Sequence, residues 1–168
     1  EMTVELSRID LKQFKKVLPY LPDVEGWLGG SLHYVDSEGQ MMLSADMNLD
    51  NFVYEKSPLG NWTMSGAYLP GDNNAHHVDG FITYNDQEII YMNGVYQADE
   101  TGQENITGEL ELQHFPLRVI NPFIPEKMVA FTGDIDGTLS MTGSPMKPVL
   151  NGGLQLDSVL MIMPDMSV

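Results

Sequence analysis

Apolar and polar residues alternate with a period of two along most of the chain. In residues 40–54, Met41, Leu43, Ala45, Met47 and Leu49 fall on one side, against Ser44, Asp46, Asn48 and Asp50. In 60–68, Trp62, Met64 and Tyr68 oppose Asn61, Thr63 and Ser65. Residues 104–113 set Ile106, Leu110 and Leu112 against Thr107, Glu109, Glu111 and Gln113. Residues 128–142 set Phe131, Ile135, Leu139 and Met141 against Thr132, Asp134, Asp136 and Ser140. Successive strand side chains point to opposite faces, so this pattern predicts half-buried strands with one dry and one wet face. Further strands are predicted near 2–9, 27–35, 77–85, 88–97 and 147–162. The fold class is therefore all-β and mainly antiparallel.

Turn chemistry separates these segments. Ser37-Glu38-Gly39, Ser57-Pro58-Leu59-Gly60, residues 70–74 (PGDNN), Asn85-Asp86, residues 99–102 (DETG) and Gly143-Ser144-Pro145 supply positive or fixed φ where hairpins need it. Two short segments read as helical turns instead. Residues 10–18 (DLKQFKKVL) space Leu11, Phe14 and Leu18 helically, with Asp10 as N-cap and Pro19 as the stop. These three apolar residues are expected to pack on the sheet edge. Residues 116–121 (PLRVIN) start with Pro116 and end before Pro122.

An internal repeat sharpens the picture. Residues 26–32 (GWLGGSL) and 133–139 (GDIDGTL) share G-x-x-x-G-[ST]-L at an offset of 107, which also carries Leu43 to Leu150, Met47 to Leu154 and Leu49 to Leu156. Upstream, Ile9-Asp10-Leu11 corresponds to Phe115-Pro116-Leu117, and residues 19–22 (PYLP) to 122–125 (PFIP). One copy spans about 2–97 and a second, incomplete one 104–168, within a single fragment 1–168. Repeats of this kind stack along one axis, each burying its face against the next. The chain opens on Glu1 and is read as a piece of a longer protein.

Composition narrows the function classes. Hydrophobic residues make up 42%, enough for an ordered chain despite a net charge of −16. That charge repels phosphate backbones and excludes nucleic acid as a partner. It also makes contact with lipid a matter of apolar surface. The absence of cysteine removes disulfides, thiolate metal sites and cysteine nucleophiles. Methionine, at 12 of 168 residues, suits surfaces that accept varied apolar ligands.

Residues 115–125 (FPLRVINPFIP), 133–159 (GDIDGTLSMTGSPMKPVLNGGLQLDSV) and 59–69 (LGNWTMSGAYL) resemble the TamB and AsmA-like family of bacterial envelope proteins, in its C-terminal-type β-repeat region. Gly133, Gly137, Leu139, Gly143, Pro148, Leu150, Gly152, Leu154 and Leu156 fall on the family's pattern, while the first copy lacks the glycine-proline turn between Leu32 and Leu43. The resemblance implies an elongated, curved, U-shaped ("β-taco"-like) sheet with an apolar concave interior. It implies a periplasmic chain whose parent is anchored in the inner membrane. It also implies phospholipid movement between inner and outer membrane and support of outer-membrane protein assembly with a TamA-like barrel partner.

The groove is expected to be lined by Leu28, Leu32, Leu43, Met47, Leu49, Trp62, Met64, Ile106, Leu110, Phe131, Ile135, Leu139, Leu150, Leu154 and Leu156. No enzymatic activity, cofactor or metal is expected. Asp134-Ile135-Asp136-Gly137-Thr138 spells the first motif of haloacid-dehalogenase-type phosphatases, but that chemistry needs a parallel strand followed by a helix. The counterparts of the two aspartates in the first copy are Trp27 and Gly29. His76 and His77 read as exposed turn residues rather than ligands, and no third ligand accompanies them. Two alternatives stand beside the lipid conduit. One is a sheet edge that binds unfolded outer-membrane strands, and the other a ligand-free structural β-sandwich. An isolated fragment with an open apolar face could also form a homodimer.

Overall fold

The computed structural model describes residues 1–37, 39–125 and 129–163. One antiparallel sheet of nine strands runs in sequence order, each strand hydrogen-bonded to its chain neighbours. The strands are β1 (Met2–Asp10), β2 (Val24–Ser37), β3 (Gln40–Tyr54), β4 (Ser57–Pro70), β5 (Ala75–Tyr84), β6 (Gln87–Ala98), β7 (Glu104–Pro116), β8 (Ala130–Ser144) and β9 (Lys147–Ile162). Every strand that alternation predicts is present. Glu38 of the first expected turn, and Met128 at the expected start of the eighth strand, lie outside the described residues. β1 and β9 pair on one side only, so the sheet is open, and among the described residues no second sheet covers it.

Local chemistry explains most hairpins. Asn85 and Asp86 take φ of 46° and 67°, the left-handed pair that a two-residue hairpin turn requires. The β3–β4 turn differs from expectation. It sits at Glu55 and Lys56, with φ of 46° and 68°, instead of at residues 57–60. Pro58 then lies at the start of β4, where a missing N–H is tolerated. Leu59 is the extra residue where the register slips between Val53↔Pro58 and Phe52↔Gly60.

Such slips recur at the same end of the sheet, between Leu6 and Ile9, Ile82 and Thr83, Leu112 and Phe115, and Thr132 and Asp134. Bulges bend the strand that carries them and increase its twist. The 3-10 segment Leu117–Phe123 lies within the resulting curve. Its Phe123 ring stands 4.4 Å from Tyr54 at the end of β3, and its Arg118 guanidinium 5.8 Å over Tyr84 at the end of β5. One segment thus reaches from the end of β7 across the ends of both β5 and β3.

Burial is concentrated there. Leu59, Ile89, Leu117 and Val119, at 5, 2, 7 and 5% exposure, form the buried apolar core among the described residues. Leu59 and Ile89 are both extra residues at register slips, re-aimed inward by the bulge. Asn121 fixes the segment to β8, its amide accepting from the Phe131 N–H and donating to the Phe131 carbonyl, both at 2.8 Å.

The first helical turn behaves otherwise. α1 (Lys12–Val17) is capped by Leu11 in position, while the Asp10 carboxylate accepts from the Lys12 N–H at 3.0 Å. It buries no residue of its own, and of the three residues expected to pack on the sheet edge Leu11 and Leu18 are half-buried while Phe14 is 39% exposed, so that packing is partial. Its lysines pair along the rim, Lys12 with Glu25 at 3.3 Å and Lys15 with Asp23. Among the described residues no helix is long and apolar enough to cross a membrane.

The pairing register of β7–β9 reproduces that of β1–β3. Leu6↔Gly30 and Ile9↔Leu28 recur as Leu112↔Gly137 and Phe115↔Ile135. Glu25↔Val53 and Trp27↔Asp50 recur as Thr132↔Leu160 and Asp134↔Asp157. Even the strained residue at the slip has its counterpart, with φ of 51° at both Asn51 and Ser158.

Candidate functional site

Opposed residues of an antiparallel pair share a face, so rows of side chains can be followed from strand to strand. Val4, Leu32, Ala45, Gly66, Gly80, Met92, Leu110, Leu139 and Gly152 form one row across all nine strands. Beside it run Leu6, Gly30, Met47, Met64, Ile82, Ile90, Leu112, Gly137 and Leu154. On its other side run Met2, Tyr34, Leu43, Tyr68, Val78, Gly94, Gly108, Met141 and Leu150. No charged residue interrupts any of the three rows.

The reverse face differs sharply. One of its rows reads Thr3, His33, Ser44, Ala67, Asp79, Asn93, Glu109, Ser140 and Asn151. Another includes Glu5, Ser31, Asp46, Ser65 and Glu111, with Phe81 and Tyr91 as its apolar members. The sheet thus has an apolar inside and a hydrated outside.

The expected groove residues fall as follows. Leu32, Leu110 and Leu139 lie in the first row, Met47, Met64 and Leu154 in the second, and Leu43 and Leu150 in the third. Leu28, Leu49 and Trp62 form a further row toward the helical end, where the Trp62 ring meets Tyr84 at 4.8 Å. Ile135 pairs with Leu156 two residues beyond Gly137 and Leu154, and Ile106 stands two before Gly108. Phe131 is set apart, beyond the last register slip, paired with Met161 and tied to the 3-10 segment through Asn121.

Sequence reasoning left out the contributions of β1, β5 and β6. In β5, Phe81 on the polar face blurs the alternation of Val78, Gly80 and Ile82. In β6 the extra residue Ile89 shifts the phase between Glu88 and Ile90. Neither departure leaves a local signal in the sequence.

The floor of the trough is shaped by its small residues. Ala45, Gly66 and Gly80 are adjacent in the first row and leave a depression of about 260 Å³, ringed by Leu32, Leu43, Met64, Tyr68, Val78, Ile82 and Met92. Leu32 and Met64 remain 38 and 50% exposed beside it, with no protein layer over them among the described residues. A larger cavity of about 570 Å³ lies against the 3-10 segment, between Leu59 and Ile162.

Polar chemistry is confined to the rims and the reverse face. Among the described residues no side chain of polar type is buried, and no three His, Asp or Glu residues approach metal-binding geometry. Asp134 and Asp136 lie on the antiparallel β8, and Asp136 accepts from the His114 N–H at 2.9 Å and sits 3.2 Å from its Nδ1. His76 is no exposed turn residue. It sits half-buried in β5, with its Nδ1 2.6 Å from the Tyr68 hydroxyl and its ring 5.7 Å from Tyr96. The Tyr96 phenol is held above its ordinary pKa by its 2.8 Å hydrogen bond to Glu104. His33 lies between Thr3 and Ser31 on the outer face, 3.1 Å from each hydroxyl.

No curated protein and no solved structure matches the chain. A family model does match, the one described as TamB, N-terminal domain, over residues 1–156. The matched region is thus the family's N-terminal domain, in place of the C-terminal-type repeat region that the glycine pattern resembles. With nearly its whole length matched, and with an open curved sheet of the expected kind, the chain belongs to the TamB family of bacterial envelope proteins.

Proposed function

We propose that the trough carries phospholipid acyl chains between the inner and outer membrane, across the periplasm, within a parent protein anchored in the inner membrane. In that role it supports outer-membrane protein assembly alongside a TamA-like barrel. The observation that carries this reading is the set of three rows, each spanning nine strands without a charge and, among the described residues, lacking a covering layer. Hydrocarbon laid along them leaves water at about 0.8 kcal/mol per methylene. Ten methylenes thus supply roughly 8 kcal/mol before ordering costs. Headgroups stay hydrated at the open mouth. The chain performs no catalysis in this scheme and needs no cofactor or metal.

Photo-reactive groups at Leu43 and Leu139 test the proposal in living cells. Phospholipid adducts are expected at both sites, and failure at both beside a working positive control sinks it. A second reading draws on β9, whose outer edge is unpaired among the described residues and whose side chains are almost all exposed. Such an edge can add a strand from an unfolded protein. Protein adducts at Leu156, without lipid adducts in the trough, would favour that reading.

A further inference from the structure

Two cavities adjoin at the helical end of the trough and share Tyr84 and Arg118 in their walls. The larger, about 570 Å³, is faced by Leu59, Val119, Pro122, Ile124, Val129 and Ile162. The smaller, about 450 Å³, is faced by Gln87, His114, Thr132 and Asp134. Both volumes lie in the range of small-molecule sites. One chamber is therefore mainly apolar, its neighbour of mixed character with Ile89 and Pro116 beside these polar groups, and a guanidinium stands at the boundary.

Arg118 is well fixed for such a post. Its chain neighbours Leu117 and Val119 are among the most buried side chains described, so its backbone is anchored. Its own side chain is exposed, spread over the Tyr84 ring at 5.8 Å, with Nη2 donating to the Tyr84 hydroxyl at 3.4 Å. Among the described residues it forms no ion pair. A guanidinium presents a planar fork suited to two oxygens of one anion. Six of the eight basic residues, Arg8, Lys12, Lys15, Lys16, Lys56 and Arg118, lie at this end of the sheet, but acidic residues outnumber them there and Lys12 and Lys15 are paired with Glu25 and Asp23, so Arg118 is the cation that both cavities share.

We infer that Arg118 binds the anionic headgroup of a lipid in the smaller chamber while the attached hydrocarbon enters the larger, apolar one. The inference rests on the acyl-chain reading above and names the headgroup class for that trough. A carboxylate stands in each wall, Glu55 in the larger cavity and Asp134 in the smaller. These two carboxylates repel a dianionic monoester more strongly than a singly charged phosphodiester, which leaves the phosphodiester as the anion that the Arg118 fork accepts.

Isothermal titration of the 168-residue chain provides the test, with three probes kept below micelle-forming concentrations. They are dihexanoylphosphatidylglycerol, the uncharged dihexanoylglycerol and inorganic phosphate. Arg118→Gln should weaken the phosphatidylglycerol by tenfold or more and leave dihexanoylglycerol within twofold, which also shows that the variant is folded. Arg118→Lys should recover part of the loss. Lys16→Gln, the same charge change outside both cavities, should alter neither lipid. Equal losses for both lipids in Arg118→Gln, or none for the phosphatidylglycerol, would overturn the headgroup site. Inorganic phosphate binding as tightly as the phosphatidylglycerol would overturn it as well, by showing that the apolar chamber contributes nothing. Failure of the wild type to bind either lipid would instead strike at the acyl-chain reading itself.

Discussion

Gly137 holds a φ of 151° in the second apolar row, and a Cβ added there would run into the Gly153 carbonyl of the neighbouring strand. Its counterpart Gly30 has a φ of 159° and would meet the Asp46 carbonyl in the same way. The spacing of these glycines was legible in the sequence because close strand approach tolerates no alternative residue. Gly137→Ala should therefore lower stability by about 1–3 kcal/mol, read from urea unfolding. Asp99 offers a prediction of another kind. Its carboxylate accepts from the Thr101 hydroxyl at 2.6 Å and the Gln103 N–H at 2.9 Å, and these bonds hold its pKa below the ordinary value. A depressed native pKa contributes stability that is fully present above the unfolded-chain value of about 3.9 and is lost as pH falls through the native one. The Thr101 and Gln103 amide resonances should thus stay unmoved down to about pH 4 and shift only on further acidification.

Elements that look alike in sequence part ways once packed. Residues 9–11 (IDL) and 115–117 (FPL) occupy the same place in the repeat, yet Leu117 is 7% exposed while its counterpart Leu11 is only half-buried. The difference is one of position. The 3-10 segment Leu117–Phe123 folds back over strands that precede it, whereas only β1 precedes α1. Leu117→Ala should cost about 2–5 kcal/mol in a urea melt, and Phe14→Ala at the exposed helical turn no more than about 0.5 kcal/mol. Amphipathic spacing in residues 10–18 could not disclose this, since it records which side is apolar and not whether a partner exists. The β3–β4 turn was illegible for a related reason. Glu55 and Lys56 carry no preference for positive φ, and the neighbouring proline and glycine drew the expectation to residues that open a strand.

At the scale of the whole molecule, alternation revealed a dry face on single strands but not how the faces join. The rows became visible only with the register, which no local pattern encodes beyond the strands it pairs. The hollow over Ala45, Gly66 and Gly80 is a case in point, because the two glycines read as weak strand residues until their pairing puts them side by side. Gly66 has ordinary extended backbone, and a Cβ there would meet only the Asp79 carbonyl, at 3.4 Å. Gly66→Leu should leave the melting temperature within a few degrees of wild type while filling the depression. Lipid adducts from a probe at Leu43 should then fall severalfold, with those from Leu139 less affected.

The recurrence of the β1–β3 register in β7–β9 carries a consequence for size. Because Ala45 and Gly152 hold equivalent ladder positions, a second copy of residues 46–152 inserted after Gly152 would meet the same pairing partners, the same bulges and the same small residues. Six strands at about 4.8 Å would extend the trough by roughly 29 Å with no new join to invent. Its cross-section is specified by sequence, while its length is an open-ended count of identical lengths of gutter.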